Sequence, residues 1–327
     1  MKAKGKILLV LAENRIPHKA LERIQEAADG REVMIRTSKD GLESILDDVE
    51  IVAGDFPPSL VEKTPNLSWF QLWYAGADWV QKFPIVKELP LSITTASGIH
   101  GEQMTEHLFG LLFAWNRQFP KAFAAQERSQ WLSFQHSDMD TLQGKTMVIL
   151  GYGAIGKKIA RAAEVFGMKV IGVRRNPSQE GTEASSSSVQ TVSFSDLGRV
   201  LPLSDVLVNI LPLTAETRGM FGEQQFKQMK ETALFVNIGR GGTVDQDAMI
   251  AALKEKRIKA ALLDVCDPEP LPASSPLWKM QNVLLSSHYS GFHPNYDKLA
   301  LGVFLDNLNQ YVRGEKLLNE VNKSLGY

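Results

Sequence analysis

Short apolar runs and amphipathic stretches take turns along the first part of the chain, over residues 7–11, 17–28, 33–35, 41–46, 51–53 and 69–72. That rhythm predicts βα units. Right-handed crossovers place the helices of such units on both faces of a parallel sheet, whose strands are then apolar on both sides. Residues 102–128 follow with apolar side chains at helical spacing (Met104, Leu108, Leu111, Leu112, Trp115) and predict one long helix carrying the chain out of the first domain. A second series of apolar runs, at 147–150, 169–173, 206–210, 234–237 and 260–263, predicts five more strands, each followed by turn residues or a helical pattern. Residues 296–312 read as a closing amphipathic helix before a short polar tail. The serine run 185–188 reads as a surface loop, and no internal repeat is visible.

A length of 327 residues exceeds one ordinary core and argues for two domains. The formal charge of −1 gives no field suited to nucleic acid or an anionic membrane surface, so the expected partner is a small molecule. Cys266 is the single cysteine, which rules out an internal disulfide, and the chain shows no Cys/His spacing for a zinc site. No metal is expected, and a cytoplasmic location fits this cysteine usage. The start MKAKGKILLVLA pairs basic residues with an apolar run, but charge returns at Glu13 and Arg15 without a small-residue cleavage pattern, so it reads as a first strand. No later apolar run is long enough to span a bilayer.

The run Gly151-Tyr152-Gly153-Ala154-Ile155-Gly156 lies between a predicted strand and a predicted helix, where a dinucleotide-binding loop belongs. Gly151 would allow the tight turn, Gly153 would let backbone approach a pyrophosphate at the helix N-terminus, and Gly156 would let helix pack on strand. About twenty residues on, a site for NAD places an acid on the ribose 2′-hydroxyl. Here the strand at 169–173 ends in Arg174-Arg175 instead. Guanidiniums suit a 2′-phosphate, so NADP(H) is the expected cofactor, with NAD(H) possible; Ser178 is a candidate helper.

Three further stretches each follow an apolar strand: Asn-Ile-Gly-Arg-Gly-Gly at 237–242, Leu-Leu-Asp-Val-Cys-Asp-Pro-Glu-Pro-Leu at 262–271 and Ser-Ser-His-Tyr-Ser-Gly at 286–291. In a parallel sheet, residues just past the carboxyl ends of strands share one crevice, so Arg240, Glu269 and His288 can converge. Reduction of a 2-oxo acid needs such a set: an arginine to hold the carboxylate, and an acid to protonate the carbonyl oxygen as hydride arrives. A carboxylate bonded to an imidazole fixes its tautomer and favours its protonated form. Taken one at a time, the same residues also read as a salt-bridge arginine, a loop acid and a hydrogen-bonded histidine. Cys266 and His107 read as structural, His107 as packing or capping. His100 and His293 could border the cleft but are left out of the site, and Trp69, Trp73 and Tyr74 read as core, the last two flanking a possible substrate loop.

Taken together, these runs, with Ser-Pro-Leu-Trp at 275–278, resemble the D-isomer-specific 2-hydroxyacid dehydrogenases, and specifically the NADP-preferring glyoxylate/hydroxypyruvate reductases. The resemblance is strongest over 142–291 and weaker in Trp-Tyr-Ala-Gly-Ala-Asp at 73–78, in Ser-Gly-Ile-His at 97–100 and at the C-terminal end. It implies an α/β fold with two doubly wound parallel-sheet domains, a Rossmann dinucleotide-binding domain (99–291) inserted in a flavodoxin-like substrate domain (1–98 and 292–327). It further implies Arg240 as the substrate-carboxylate residue, His288 as general acid/base tuned by Glu269, and Ala75 and Gly76 as backbone donors to the carboxylate. Ala154, Ile155, Leu211, Pro212, Thr217, Ile238, Gly239 and Asp264 would be cofactor contacts, and a homodimer would form through the dinucleotide-binding domain. Arg174 departs from the family's usual aspartate, and Ser287 stands where a proline is common. Formate as substrate is disfavoured by Glu269. A dinucleotide-binding corepressor of the same fold and a 3-phosphoglycerate dehydrogenase are the alternatives.

Overall fold

In the computed structural model, residues 4–12, 15, 18–177 and 189–326 are described; Ser178 and the serine run 185–188 lie outside them. The chain begins β1 (Lys6–Val10), α1 (His18–Ala27), β2 (Val33–Arg36), β3 (Val49–Gly54), β4 (Trp69–Leu72) and β5 (Ser92–Thr94). It continues α2 (Gly101–Asn116), α3 (Phe119–Glu127), β6 (Thr146–Leu150), α4 (Ala154–Val165), β7 (Lys169–Val173) and β8 (Gln190–Val192). Then come α5 (Leu197–Val200), β9 (Val206–Asn209), α6 (Glu223–Gln228), β10 (Leu234–Asn237), α7 (Gln246–Lys254), β11 (Ala260–Leu263), β12 (Val283–Leu285) and α8 (Tyr296–Val312).

Two compact units divide the chain: Met1–Ile99 with His293–Tyr327, and His100–Phe292. The first holds a five-stranded sheet in the order β2-β1-β3-β4-β5, every pair parallel. This is the flavodoxin-like order. The second holds a seven-stranded parallel sheet, β12-β11-β10-β9-β6-β7-β8, whose order reverses between β6 and β9. That reversal is the Rossmann switch point, where ligands bind beyond the carboxyl ends of the strands.

Side-chain alternation explains both sheets. In β6, Val148 and Leu150 enter one apolar cluster and Met147 and Ile149 the other, so the apolar run that follows Thr146 fills two cores. In β1, Leu8 and Val10 face one core of the first unit while Ile7 and Leu9 face its second. Fully burying each such side chain is worth about 1.5–3 kcal/mol, which is what pulls these short strands into central positions.

The structure departs from the sequence pattern in three places. The helix predicted over 102–128 is two helices, broken where Gln118 takes a left-handed backbone (φ 57). Pro120 gives the reason: it lacks an N–H and its ring would collide with the carbonyl four residues earlier, so it can sit only in a first turn. Residues 41–46 form only a 3₁₀ turn, Leu42–Ile45, too short to show a helical face. Strands β5, β8 and β12, each of three residues, were not predicted because so short a run carries no readable period.

Candidate active site

Because the seven strands are parallel, the residues that follow β6, β7, β9, β10, β11 and β12 emerge at one edge of the sheet. After β6, Gly151 turns with φ +95, a conformation in which an L side chain is strained, and a Cβ there would stand 3.1 Å from the Ile210 carbonyl oxygen. The amides of Gly151 and Tyr152 both donate to the Val173 carbonyl at 3.0 Å, tying the loop to the end of β7. Gly153 caps α4 without any side-chain bond, and nothing stands within 4 Å of where its Cβ would be. The first turn of α4 therefore presents backbone N–H groups beside open space, the arrangement that receives a phosphate.

Beyond β7, the Arg174 amide donates to the Val192 carbonyl at 3.0 Å, and the exposed Arg175 guanidinium pairs with the Glu216 carboxylate. Beyond β9, the Leu211 amide is held by Asn209 Oδ1 at 3.2 Å. The buried Thr217 hydroxyl donates to the Pro212 carbonyl at 2.6 Å, which fixes the loop that follows. Among the described residues, no cluster of His, Cys, Asp or Glu is placed to hold a metal ion, and no helix is long and apolar enough to cross a membrane.

Past β10, Ile238 and Gly239 lead to Arg240, whose carbonyl accepts from the Thr243 hydroxyl at 2.6 Å and from Asn237 Nδ2 at 3.2 Å. Gly241 is required on steric grounds, since a Cβ there would fall 1.9 Å from the Cys266 carbonyl oxygen. That close approach brings the Arg240 loop against the segment that carries Glu269. The Glu269 carboxylate uses Oε1 to accept from the Cys266 amide at 3.0 Å and Oε2 to meet His288 Nδ1 at 2.7 Å. Both side chains of this pair remain partly exposed, at 37% for Glu269 and 46% for His288.

His288 has φ +55, unusual for a non-glycine residue and costing on the order of 1–3 kcal/mol unless its surroundings enforce it. Asp264 supplies the enforcement. Its carbonyl accepts from the His288 amide at 2.8 Å, and its wholly buried carboxylate accepts from the amides of Tyr289 and Ser290, each at 3.1 Å, and from the Ser286 hydroxyl at 2.7 Å. Burial works to raise this carboxyl, but the bonds from Ser290 and Ser286 outweigh it and hold Asp264 below the usual carboxylate range.

Three residues at this edge were not assigned to the site from sequence. Ser286 and His107 join the Asp264 network, His107 Nε2 lying 2.9 Å from Ser286 Oγ. His107, which the sequence reads as packing or capping, does pack edge-on against Tyr289 and is also a hydrogen-bonding partner of the segment leading to His288. His100, buried at the start of α2, is pushed down to about 4 by burial and then by the Arg240 guanidinium. A pair such as His107 and Ser286, 179 residues apart, leaves no local signal in sequence. Cys266 behaves as expected of a bystander: burial, with the Glu269 and Asp264 carboxylates, pushes its thiol up to about 11. In the other unit, Ala75 and Gly76 follow the carboxyl end of β4, beside a Tyr74 that is 38% exposed rather than core.

Comparison with known proteins gives the family of the chain. Residues 109–290 match the family model described as D-isomer specific 2-hydroxyacid dehydrogenase, NAD binding domain. The glyoxylate reductase of Korarchaeum cryptofilum is 31% identical over 97% of this chain and 96% of its own. The D-3-phosphoglycerate dehydrogenase of Methanocaldococcus jannaschii is 29% identical over 96% of this chain, which spans only 59% of that protein's length. Among solved structures, a D-isomer specific 2-hydroxyacid dehydrogenase from Xanthobacter autotrophicus Py2, in complex with NADPH and MES, aligns with a TM-score of 0.80 at 27% identity, covering 99% of this chain and 100% of that one.

Proposed function

The chain belongs to the D-isomer-specific 2-hydroxyacid dehydrogenases, and from that premise we propose that it is an NADP(H)-linked reductase of a small 2-oxo acid. The observation that carries this reading is the 2.7 Å pair between His288 Nδ1 and Glu269 Oε2, on a segment against which the Arg240 loop packs and at the same sheet edge as the glycine loop. A reduced nicotinamide, when bound, supplies the hydride that arrives at C2 of the substrate. The uncapped first turn of α4, with Gly151, Gly153, Ala154, Ile155 and Gly156, suits its pyrophosphate. Leu211, Pro212, Thr217, Ile238 and Gly239 complete the proposed cofactor site, and Asp264, its carboxylate wholly buried, supports that site through the 286–290 segment.

The remaining chemistry belongs to the side chains. Arg240 binds the substrate carboxylate through paired N–H donors and orients C2, and Ala75 and Gly76 keep the part their motif implies, backbone donors to a carboxylate. With its Nδ1–H given to Glu269, His288 holds the working proton on Nε2 and delivers it to the carbonyl oxygen; in oxidation the same nitrogen takes it back.

Arg174 and Arg175 support the choice of NADP(H), because a 2′-phosphate offers charge-assisted bonds that a ribose hydroxyl does not. Glu216 already holds Arg175, so the phosphate would displace that carboxylate. NADPH in the Xanthobacter relative favours the same choice. A homodimer through the dinucleotide-binding unit is proposed as well: Trp131 is 94% exposed and Phe123 60%, apolar surface that a second copy would cover.

The test is loss of NADPH absorbance on mixing the protein with glyoxylate, hydroxypyruvate, pyruvate or phenylpyruvate. Turnover with at least one is expected, and none with any would end the reductase reading. The Methanocaldococcus relative favours a second reading, so 3-phosphoglycerate with NADP⁺ belongs in the panel; turnover there and nowhere else would select it.

A further inference from the structure

Hydrogen positions around Ser286 can be assigned by counting protons. The hydroxyl has one proton, and its shortest contact is the buried, ionised Asp264 Oδ1 at 2.7 Å, so the proton goes there. Its oxygen must then accept from the other neighbour, His107 Nε2 at 2.9 Å, which fixes His107 with its hydrogen on that nitrogen. Burial lowers the His107 pKa, with the Asp264 charge opposing, so the ring is neutral at pH 7 and the donor is the Nε2–H tautomer. The ring cannot easily swing away. It meets the Tyr289 ring edge-on, centroids 5.1 Å apart at 87°.

The bonds form a directed chain. His107 donates to Ser286, Ser286 donates to Asp264, and Asp264 receives the amides of Tyr289 and Ser290 while its carbonyl receives the amide of His288. The left-handed backbone at His288 is thus held by a carboxylate whose own orientation is set from α2. We propose that His107 and Ser286 are positioning residues, which hold the His288 imidazole in its working orientation through Asp264 without touching substrate. The inference rests on the reading of His288 as the acid/base and adds to it the helix residue that aims it.

The experiment uses the full chain with three variants: His107→Phe, which keeps a ring against Tyr289 but removes the donor, His107→Gln, which restores an N–H, and Ser286→Ala. With NADPH and glyoxylate, His107→Phe and Ser286→Ala should each lower kcat about tenfold, the scale of a displaced reacting group, with KM for NADPH within about twofold. The double variant should be no worse than either single one, because both interrupt one chain. His107→Gln should recover most of the loss, and in a His288→Ala background His107→Phe should have no further effect on kcat. Additive losses, failure of the glutamine to rescue, or an equal loss without His288 would overturn the proposal. A readout independent of turnover keeps the two readings apart: the His288 ring resonances in NMR should shift in His107→Phe and return in His107→Gln. Unshifted resonances would refute the relay even if the reductase activity is real, and shifted resonances without turnover would fault only the functional reading.

Discussion

The two units are built on the same plan of parallel strands and treat the carboxyl ends of those strands in opposite ways. In the unit His100–Phe292, glycines at 151 and 241 bring backbone close to backbone, and the polar groups left at the edge, Arg240 and the Glu269–His288 pair, remain partly open. In the other unit the edge beyond β1 and β3 and at the start of α8 is closed by its own charges, while Ala75 and Gly76 beyond β4 stay half-buried. Arg15 binds Asp297 at 2.8 Å and Asp55 at 2.6 Å, Trp73 Nε1 donates to Asp297 Oδ1 at 2.9 Å, and the Tyr296 hydroxyl reaches the Trp73 carbonyl at 2.9 Å. A polar edge satisfied by itself stabilises the fold, whereas one left with spare donors and acceptors can serve a ligand.

Substitutions at each edge should separate these tasks. The largest effect is expected at His288: replacement by alanine should lower kcat by about 10²–10⁴-fold while NADPH affinity changes little, as a general acid/base predicts. Steady-state kinetics with a fluorescence titration of NADPH decides it, and unchanged turnover would make this edge as structural as the other.

Next is acid stability. His100 sits at about 4 in the folded protein against an ordinary value of 6.5, so the folded state binds fewer protons than the unfolded chain between those values. Its contribution, up to about 3 kcal/mol, is complete above pH 6.5 and is lost as pH falls through 4. Thermal melts should therefore decline over that window, and His100→Gln should flatten the decline; parallel curves would show that other groups govern it.

Smaller again is the cofactor choice. Arg174→Asp with Arg175→Ala should move the NADPH/NADH efficiency ratio by about tenfold to a hundredfold toward NADH, the worth of one or two charged hydrogen bonds. A parental ratio would remove both arginines from the phosphate site. The smallest effect belongs to the closed edge, where Asp297→Ala leaves Trp73 Nε1 and Arg15 short of a partner and should cost about 1–2 kcal/mol in denaturant melts, with NADPH affinity unaltered. A fall in cofactor affinity as large as that in stability would erase the contrast between the units.

How far these features were legible follows from how local each one is. The strands at 169–173, 234–237 and 260–263 coincide with β7, β10 and β11, because a strand buried on both faces reads as a nearly continuous apolar run, broken here only at its ends by Lys169 and Asn237. The α8 limits match the predicted 296–312 for a similar reason, a periodic face seventeen residues long. The break at Gln118 was written in Pro120 but masked by apolar spacing that runs on past it. Short edge strands β8 and β12 left too few residues for a pattern.

At the candidate site the division is sharper. Glycine loops, the Arg174-Arg175 pair and the segments bearing Arg240, Glu269 and His288 are contiguous stretches, so their order along the chain by itself gave the α/β class, the dinucleotide loop and the family. Only tertiary structure could decide that Glu269 Oε2 meets His288 Nδ1, that Glu216 holds Arg175, and that a histidine on α2 reaches Ser286 and, through it, Asp264. The reason is physical: backbone preference and apolar periodicity act over a few residues, while a hydrogen bond depends on ångström distances that arise only when strands from distant parts of the chain have taken their places in one sheet.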